Sequence, residues 1–396
     1  MQTKRISMKL VNQKLDWIQA LRGIAVVFVV LSHARYFLLN TPDWGMVDIW
    51  LGPGAMGVDL FFIISGFIMV YTTQKSDGSI ASSIDFSIKR FARIWPVYAI
   101  ATILYVMLVK DGMVYFAEPG HVAVFLKSLL LVPPIPSDVP FFGFTLPLAW
   151  TLAFEVYFYA VFCISMLFGR LRWVALCVWM LATVIAIPII EQNTAFHVRT
   201  NFNFRFAYLN LITNSIIIDF MAGVAIAHIY LAPRIRLTNR ILCLNLMWVS
   251  IGFALWCNFA TEANFHGPTK WGWPLALMVL CIALTSKTVS LTPPRFVVWL
   301  GTISYSVYLF HILVQFVLSR WLDVHGVPTN PWARVYITTL FSVPVAALSH
   351  HYLEVKLGGA TRDLLTRMAA RFLKPAAVAE LEPVAPAPPV ALRKHG

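Results

Sequence analysis

Charged residues are scarce in this sequence: Asp, Glu, Lys and Arg make up 12% of the 396 residues, whereas hydrophobic residues make up 59%. Soluble domains carry about 25% charged residues, so this deficit excludes an ordinary soluble globular protein. A mean hydropathy of +0.72 indicates an integral membrane protein. Cysteine is scarce as well, and all five cysteines fall within apolar runs. The sequence therefore offers neither a disulfide framework nor a metal site, and the cysteines are expected to be small core residues.

Two kinds of segment are also missing. Residues 1–14 are polar and basic and lack a short apolar region with a small-residue cleavage site, so we expect a cytoplasmic leader before a retained first span. The loops between the apolar runs are too short to bury the core of a soluble catalytic domain. The chemistry of this protein is therefore expected within the membrane-spanning part.

Ten apolar runs are long enough to cross about 30 Å of hydrocarbon as helices. They cover residues 15–39, 54–73, 94–109, 145–168, 171–190, 208–231, 240–260, 271–287, 296–319 and 332–354. The third run is short, and the stretch 122–132 is expected to be interfacial or re-entrant. The predicted fold class is an all-α integral membrane protein with about ten transmembrane helices.

The basic residues are distributed unevenly between the two sides that ten spans define. An even number of spans places both termini on one side, and 22 of the 31 Lys and Arg residues fall there, against eight on the other side. The positive-inside rule makes the richer side the cytoplasm. Topology and anionic lipid account for the net charge of +13, so no nucleic-acid partner is indicated.

Composition divides the chain into four parts. Residues 1–14 are the leader and residues 15–354 are the ten-helix membrane domain. Residues 355–374 form a basic amphipathic stretch that is expected on the inner membrane surface, and residues 375–396 form a Pro/Ala-rich tail that is expected to be disordered.

The first span carries two residues that are costly in hydrocarbon, Arg22 and His33. They are eleven positions apart, which on a helix places both side chains on one face and about 16 Å apart along the axis. A cation within a span has to face a bundle interior or a watery cavity. The alternative is that Arg22 reaches an interface and that His33 is a hydrogen-bonded core histidine.

Other spans carry polar residues at compatible depths. The second span contains Asp59 and Ser65, the fourth contains the i, i+4, i+8 series Thr151, Glu155 and Tyr159, and the ninth contains Ser304, Tyr308, His311 and Gln315. The span directions place Asp59 and His311 in the outer half of the membrane and Glu155 near its middle. Each residue alone is compatible with interhelical packing, which is the interpretation we favour for Ser215 and Asp219 on the sixth span. Two histidines and two carboxylates at similar depths favour a functional site.

Arg90 and Arg93 lie three positions apart, where the third span is predicted to begin, with Pro96 in its first turn. Paired guanidinium groups at a helix N-terminus bind phosphate through bidentate hydrogen bonds and the helix dipole. The alternative is ordinary anchoring at the cytoplasmic surface.

These pieces resemble the acyltransferase-3 family of bacterial membrane acyltransferases, and within it the exopolysaccharide O-acetyltransferase branch. The resemblance rests on the Arg-x10-His pattern of LRGIAVVFVVLSH, on GVDLFFIISGF, on the Arg-x-x-Arg of KRFARIWPVY, on AWTLAFEVYFY and on SYSVYLFH, spread over residues 20–311. It implies a multi-pass protein of the inner membrane that transfers an acyl group, most often acetyl, from cytoplasmic acyl-CoA to a hydroxyl of an exopolysaccharide or lipid-linked glycan. It also implies catalysis at His33 with support from Arg22, and CoA contacts at Arg90 and Arg93.

Some family members carry a fused periplasmic hydrolase-like domain that these 396 residues do not contain. The resemblance therefore implies that this chain completes the transfer itself or passes the acyl group to a partner, such as polysaccharide synthesis or export machinery. Acyl-CoA is expected as a substrate, with acetyl-CoA the usual donor, and no permanently bound cofactor is expected.

Acyl transfer from a thioester to an alcohol needs a base for the hydroxyl proton and stabilisation of an oxyanion. His33 can supply the base or carry the acyl group, and Asp59 or Glu155 can orient it. Ser65, Tyr308 and His311 extend the polar track.

Two other classes of protein compete with this hypothesis. A proton-coupled transporter or glycan flippase also uses intramembrane carboxylates and histidines, but no internal repeat is apparent in this sequence. A structural partner of a polysaccharide synthesis complex would use its polar residues only for packing. Neither class explains the paired arginines together with the shared face of Arg22 and His33.

Overall fold

The computed structural model describes residues 15–192, 196–261 and 265–371, and the regular elements in these ranges are all helical. The predictions for residues 1–14 and 375–396 lie outside the described residues, as does the end of the predicted amphipathic stretch 355–374. Nine helical runs are long and apolar enough to cross a membrane, and a tenth apolar helix, Ile217–Leu231, has only 15 residues. The prediction of an all-helical, multi-pass membrane protein is therefore confirmed.

Ten helices form the body of the protein. They are α1 (Asp16–Ala34), α2 (Gly57–Thr73), α3 (Ile80–Val109), α4 (Ala149–Met166), α5 (Arg172–Met180), α6 (Ile217–Leu231), α7 (Arg240–Ala260), α8 (Trp273–Ser286), α9 (Ser304–Val324) and α10 (Pro331–Ser349). Two of them continue through π-helical turns: α5 through Leu181–Ala186 into Ile187–Ile190, and α10 through His350–Leu357 into Gly358–Ala370. Short helices in the connections include Trp44–Leu51, His121–Leu129, Ala207–Ile212 and Arg295–Thr302.

The start of α3 corrects the predicted third span. The helix begins at Ile80, so Pro96 lies in its interior and not in its first turn. The basic residues of the first half of α3 lower its hydropathy, which hid that half from a search for apolar runs. Ser79 caps the helix by accepting a hydrogen bond from the Ser82 amide, as N-cap serines commonly do.

Two other predicted spans are interrupted. The run 296–319 divides at Ile303 into the short helix Arg295–Thr302 and α9, which extends to Val324. The run 208–231 divides into Ala207–Ile212 and α6. Hydropathy averaged over a whole span does not register these breaks because only a few residues form each turn and the flanking stretches are strongly apolar.

The helices that carry the predicted site residues lie at the centre of the bundle. The most apolar stretches of α1, α2 and α4 are 67%, 72% and 72% buried, against 28% for α5 and 33% for α7. Cys177 on α5 is exposed and only Cys243 and Cys257 are buried, so the expectation that the cysteines are core residues is only partly met.

The crossing of α2 and α6 depends on two glycines. A Cβ at Gly66 would lie 2.1 Å from the Phe220 carbonyl oxygen, and one at Gly223 would lie 1.9 Å from the Ile63 carbonyl oxygen. Small residues allow this backbone approach, which is how helices gain packing energy where lipid supplies no hydrophobic drive. The contact fixes α2, and with it Asp59 and Ser65, in the bundle.

Candidate functional site

A cavity of about 800 Å³ opens between α1, α2, α3, α4 and α9. Its polar lining brings together six residues of the predicted site, namely Arg22, Ser65, Arg90, Arg93, Glu155 and Tyr308, and adds Thr151, Tyr159, Ser304 and Tyr305. The remaining wall is apolar, with Phe61, Phe62 and Ile94 among its members. A pocket with a largely apolar wall and a few convergent polar groups is typical of small-molecule sites.

Three arginines give the cavity its charge. Arg22 is 8% exposed, donates to the Gln19 side chain at 3.2 Å, and lies within electrostatic range of Glu155 and Glu354. The same α1 helix carries His33 three turns further on, so the predicted separation of about 16 Å along one unbroken helix holds. A guanidinium stays charged in almost any environment, so the cavity retains positive charge for an anionic ligand.

Arg90 and Arg93 differ in their partners. The Arg90 guanidinium lies 5.0 Å from the Tyr159 ring centre and 5.2 Å from the Phe86 ring centre, and within the described part of the chain no carboxylate forms a salt bridge with it. Arg93 Nε lies 3.9 Å from Glu354 Oε1. Because both arginines lie inside α3, the predicted contribution of a helix N-terminus to phosphate binding is wrong for this pair.

Glu354 was missed as a site residue because it coincides with the predicted end of the last span. It lies on the π-helical segment His350–Leu357, where its Oε2 accepts hydrogen bonds from His350 Nδ1 at 2.9 Å and Ser306 Oγ at 3.2 Å. Its side chain is 10% exposed. No sequence signal distinguishes it from an acidic residue at an interface.

Glu155 is held at the middle of the cavity. Its Oε1 accepts a hydrogen bond from Ser65 Oγ at 3.1 Å and another from the Tyr159 hydroxyl. Tyr159 lies one turn along α4 from Glu155, as the i, i+4 spacing predicts. The carboxylate therefore contacts neither of the predicted histidines by a hydrogen bond.

His33 and His311 form a pair just beyond the cavity, with ring centres 5.0 Å apart. The Nδ1 of His33 lies 2.9 Å from the Val29 carbonyl oxygen, and the Nδ1 of His311 lies 2.7 Å from the Tyr308 carbonyl oxygen. A carbonyl only accepts, so Nδ1 carries the proton in both rings and Nε2 is the basic nitrogen. The Nε2 of His311 is buried and has no hydrogen-bond partner among the described residues.

Tyr308 connects the cavity with the histidine pair. It lines the cavity, its ring centre lies 6.0 Å from that of His311, and its hydroxyl contacts Thr151 Oγ1 at 2.8 Å. The ring centre of Phe61 lies 6.2 Å from that of Tyr308. Tyr308 thus borders both the arginine-lined cavity and the histidine pair.

Asp59 does not bond to His33. Its carboxylate accepts from His266 Nδ1 at 2.7 Å and from the Gly267 amide at 2.6 Å, and it is fully buried. The backbone of Val29, and not Asp59 or Glu155, therefore orients His33. His266 escaped prediction because it lies in a polar stretch between two apolar runs, where a histidine carries no signal.

The favoured packing role stays a prediction for Ser215, whereas Asp219 on α6 interacts with the side chain of Asp59 on α2. Ser215 Oγ and Asp219 Oδ2 are buried and have no hydrogen-bond partner within the described ranges. Asp219 instead lies beside Asp59.

Together these features define a multi-pass membrane protein with an arginine-lined cavity next to two imidazole rings whose Nδ1 atoms are bonded to backbone carbonyls. The chain belongs to the acyltransferase family whose model, described as an acyltransferase domain, matches residues 15–351. This covers the whole bundle from α1 to the end of α10.

Two relatives illustrate the range of the family. The chain is 29% identical over 299 residues to the exopolysaccharide production protein ExoZ of Rhizobium meliloti, covering 73% of this chain and 86% of that protein. It is 24% identical over 364 residues to the peptidoglycan O-acetyltransferase OatA of Listeria monocytogenes, covering 86% of this chain and 55% of that protein. No solved structure matches the chain.

Proposed function

We propose that this protein is an O-acyltransferase of the bacterial inner membrane that moves an acetyl group from cytoplasmic acetyl-CoA to a hydroxyl of an exopolysaccharide or of its lipid-linked precursor. Membership of the acyltransferase family supports acyl transfer. The name of one relative refers to exopolysaccharide production and that of another to peptidoglycan O-acetylation, which supports a glycan as the acceptor.

The observation that carries the proposal is the continuity between two places. Arg22, Arg90 and Arg93 line a single cavity, and that cavity ends at Tyr308, beside the histidine pair. The phosphates of CoA would contact Arg90 and Arg93 at the cytoplasmic mouth, since guanidinium groups bind phosphate bidentately. The thioester would then extend past Arg22 and Glu155 toward the imidazoles.

His33 is proposed as the reacting residue. Its Nδ1–H is fixed by Val29, so Nε2 is free to take the hydroxyl proton of the acceptor or to attack the thioester carbonyl. Arg22 would stabilise the negative charge that develops on the carbonyl oxygen or on a CoA phosphate. Both routes use the same nitrogen.

A proton-coupled transporter remains the competing hypothesis, and the two make different chemical predictions. Mass spectrometry of the cell-surface polysaccharides should reveal the loss of an acetyl-sized ester when the protein is absent. Polysaccharides that are identical with and without the protein would contradict the proposed function.

The proposed direction of transfer requires the arginine-lined mouth to face the cytoplasm. A reporter fused after Ala370 should be cytoplasmic, and one inserted between Ile135 and Asp138 should be external. The reverse pattern would contradict transfer from a cytoplasmic donor.

A further inference from the structure

Asp59 and His266 form a buried base–carboxylate pair that the site described above does not use. Asp59 is 0% exposed and His266 7% exposed, and Asp59 Oδ2 lies 2.7 Å from His266 Nδ1. A carboxylate on Nδ1 fixes the tautomer in which Nε2 is unprotonated, as in the base–orienter pairs of hydrolases. His266 is therefore prepared to accept a proton at Nε2.

The backbone around His266 is shaped to make this pair. Gly267 has φ +107°, and a Cβ there would lie 2.3 Å from Val198 Cγ2, so only glycine fits. That conformation directs the Gly267 amide to Asp59 Oδ1 while the preceding histidine reaches Oδ2. Trp150 and Trp271 flank the imidazole, with ring centres 5.3 and 5.0 Å away.

A second carboxyl group lies beside Asp59. Asp219 lies in electrostatic contact with it, and a Cβ at Gly272 would fall 2.0 Å from Asp219 Oδ1. The His266 imidazole and the Gly267 amide both donate to Asp59, and this is the arrangement that orients His266.

The pair lies close to the reacting histidine. Asp59 is two residues after Gly57, and a Cβ at Gly57 would lie 2.8 Å from Val29 Cγ2, one turn before His33 on α1. His33 and His266 are near enough to interact electrostatically. On the other side, Trp150 precedes Thr151, whose hydroxyl contacts Tyr308. His266 therefore lies within electrostatic range of His33, and neither Asp59 nor His266 lines the arginine-lined cavity.

We propose that His266 is a second catalytic base, which takes the proton of the acceptor hydroxyl, with Asp59 as its positioning residue. This inference rests on the proposed function and divides it into two steps. It leaves His33 to handle the acyl group.

In the first step, His33 Nε2 attacks the thioester carbonyl; the C–N bond forms, the C–S bond breaks, and CoA leaves as the thiolate. The resulting acyl-imidazolium keeps the Nδ1 proton that is bonded to Val29. In the second step the acceptor oxygen attacks the acyl carbon, the C–O bond forms, the C–N bond to His33 breaks, and the hydroxyl proton passes to His266 Nε2. His266 then releases that proton to solvent, so the sum is ester, CoA thiolate and one proton.

The test separates the two steps in proteoliposomes that contain the full chain. The donor is radiolabelled acetyl-CoA, and the acceptor is the alkali-de-esterified envelope glycan of cells that lack the protein. His266→Asn keeps a donor near Nδ1 for Asp59 but removes the base. We expect it to leave the rate of first-turnover CoA release within about threefold of wild type, lower steady-state transfer to glycan by about 10²–10⁴-fold, and accumulate acetyl on the peptide that contains His33.

His197→Gln is the matched control, because His197 stacks on Phe265 beside the pair, with ring centres 5.7 Å apart, but makes no contact with Asp59 in the described structure. It should transfer acetyl like wild type. His266→Gln serves as the second variant if the asparagine variant does not insert.

Normal transfer by the inserted His266 variants would overturn this inference and leave the proposed function intact. Loss of the first-turnover burst of CoA release together with transfer would also overturn it, since a base for the acceptor is not needed in the donor step. Absence of glycan acetylation by the wild-type protein would instead contradict the proposed function itself.

Discussion

The arginine-lined cavity and the histidine pair treat polar groups in opposite ways. In the cavity, Arg90 has an aromatic neighbour but no salt bridge among the described residues, and Arg93 has only a long contact with Glu354. In the histidine pair, each Nδ1 is satisfied by a carbonyl of its own helix. The positive charge of the arginines is left available in the cavity, whereas the carbonyl contacts fix the orientation of the two imidazole rings in the histidine pair. The proposed function uses this difference: the cavity would bind the donor, and the histidine pair would react with it.

The largest expected effect is at His33. His33→Ala should lower acetyl transfer by about 10²–10⁴-fold, because a positioned base or nucleophile is lost, while binding of acetyl-CoA is retained. Titration of acetyl-CoA against the purified variant and turnover in proteoliposomes measure the two quantities. His33→Gln keeps most of the size and should be nearly as inactive. Wild-type turnover in either variant would show that His33 does not carry the chemistry.

The next effect is at the mouth of the cavity. Arg90→Ala should raise the KM for acetyl-CoA by about 10- to 150-fold, the equivalent of one charge-assisted contact of about 1.5–3 kcal/mol. Arg90→Lys should recover only part of the loss, because an ammonium group cannot form the bidentate contact. Unchanged donor affinity in the correctly inserted double variant of Arg90 and Arg93 would indicate that these arginines only anchor the protein to the membrane surface.

A smaller effect of opposite sign is expected at Glu354. Glu354→Gln keeps the shape but removes the negative charge beside Arg93, so the KM for acetyl-CoA should fall severalfold with little change in kcat. The matched control is Asp323→Asn, which removes an acid near the end of α9, far from the cavity lining. A raised KM in Glu354→Gln would indicate that the acid positions Arg93 rather than competing with phosphate.

The smallest effect is expected at the N-terminal end of α3, which contacts neither the acyl donor nor the acceptor in the proposed function. Ser79→Ala should weaken the first turn by about 1 kcal/mol, measured by hydrogen exchange, without changing the KM for acetyl-CoA. A changed KM would show that α3 transmits strain from its end to Arg90 and Arg93.

The same turn should respond to pH. Hydrogen bonds from the Ser79 amide and the Ser82 hydroxyl lower the pKa of Asp77 below its usual value. A lowered pKa in the folded state means that this contribution is present above the ordinary aspartate pKa and is lost as the pH falls through the folded value. A lower protection factor in this turn at acidic pH, after correction for the intrinsic exchange rate and absent in Asp77→Asn, is the expected result.

The sequence predicted the features that depend on composition and spacing. Long apolar runs identified the spanning helices, and the eleven-residue spacing placed Arg22 and His33 on one helix. It could not predict the break at Ile303, because hydropathy averaged over a span does not detect a turn of one or two residues within an apolar run. Glu354 and His266 were missed for another reason: their roles arise from contacts between residues 48 and 207 positions apart. The sequence suggested Asp59 or Glu155 as the group that orients His33, because a sequence does not show which backbone carbonyl accepts a hydrogen bond.

The bond between His33 and Val29 has one further consequence. The acceptor is a carbonyl of the same helix, four residues earlier. The tautomer of His33 is therefore set within α1 and does not depend on a contact with another helix. Neighbouring helices can therefore shift, or have their side chains substituted, without changing which nitrogen of His33 carries the proton. A bundle that opens alternately to a nucleotide-bearing donor and a bulky glycan would thus preserve its chemistry through each rearrangement.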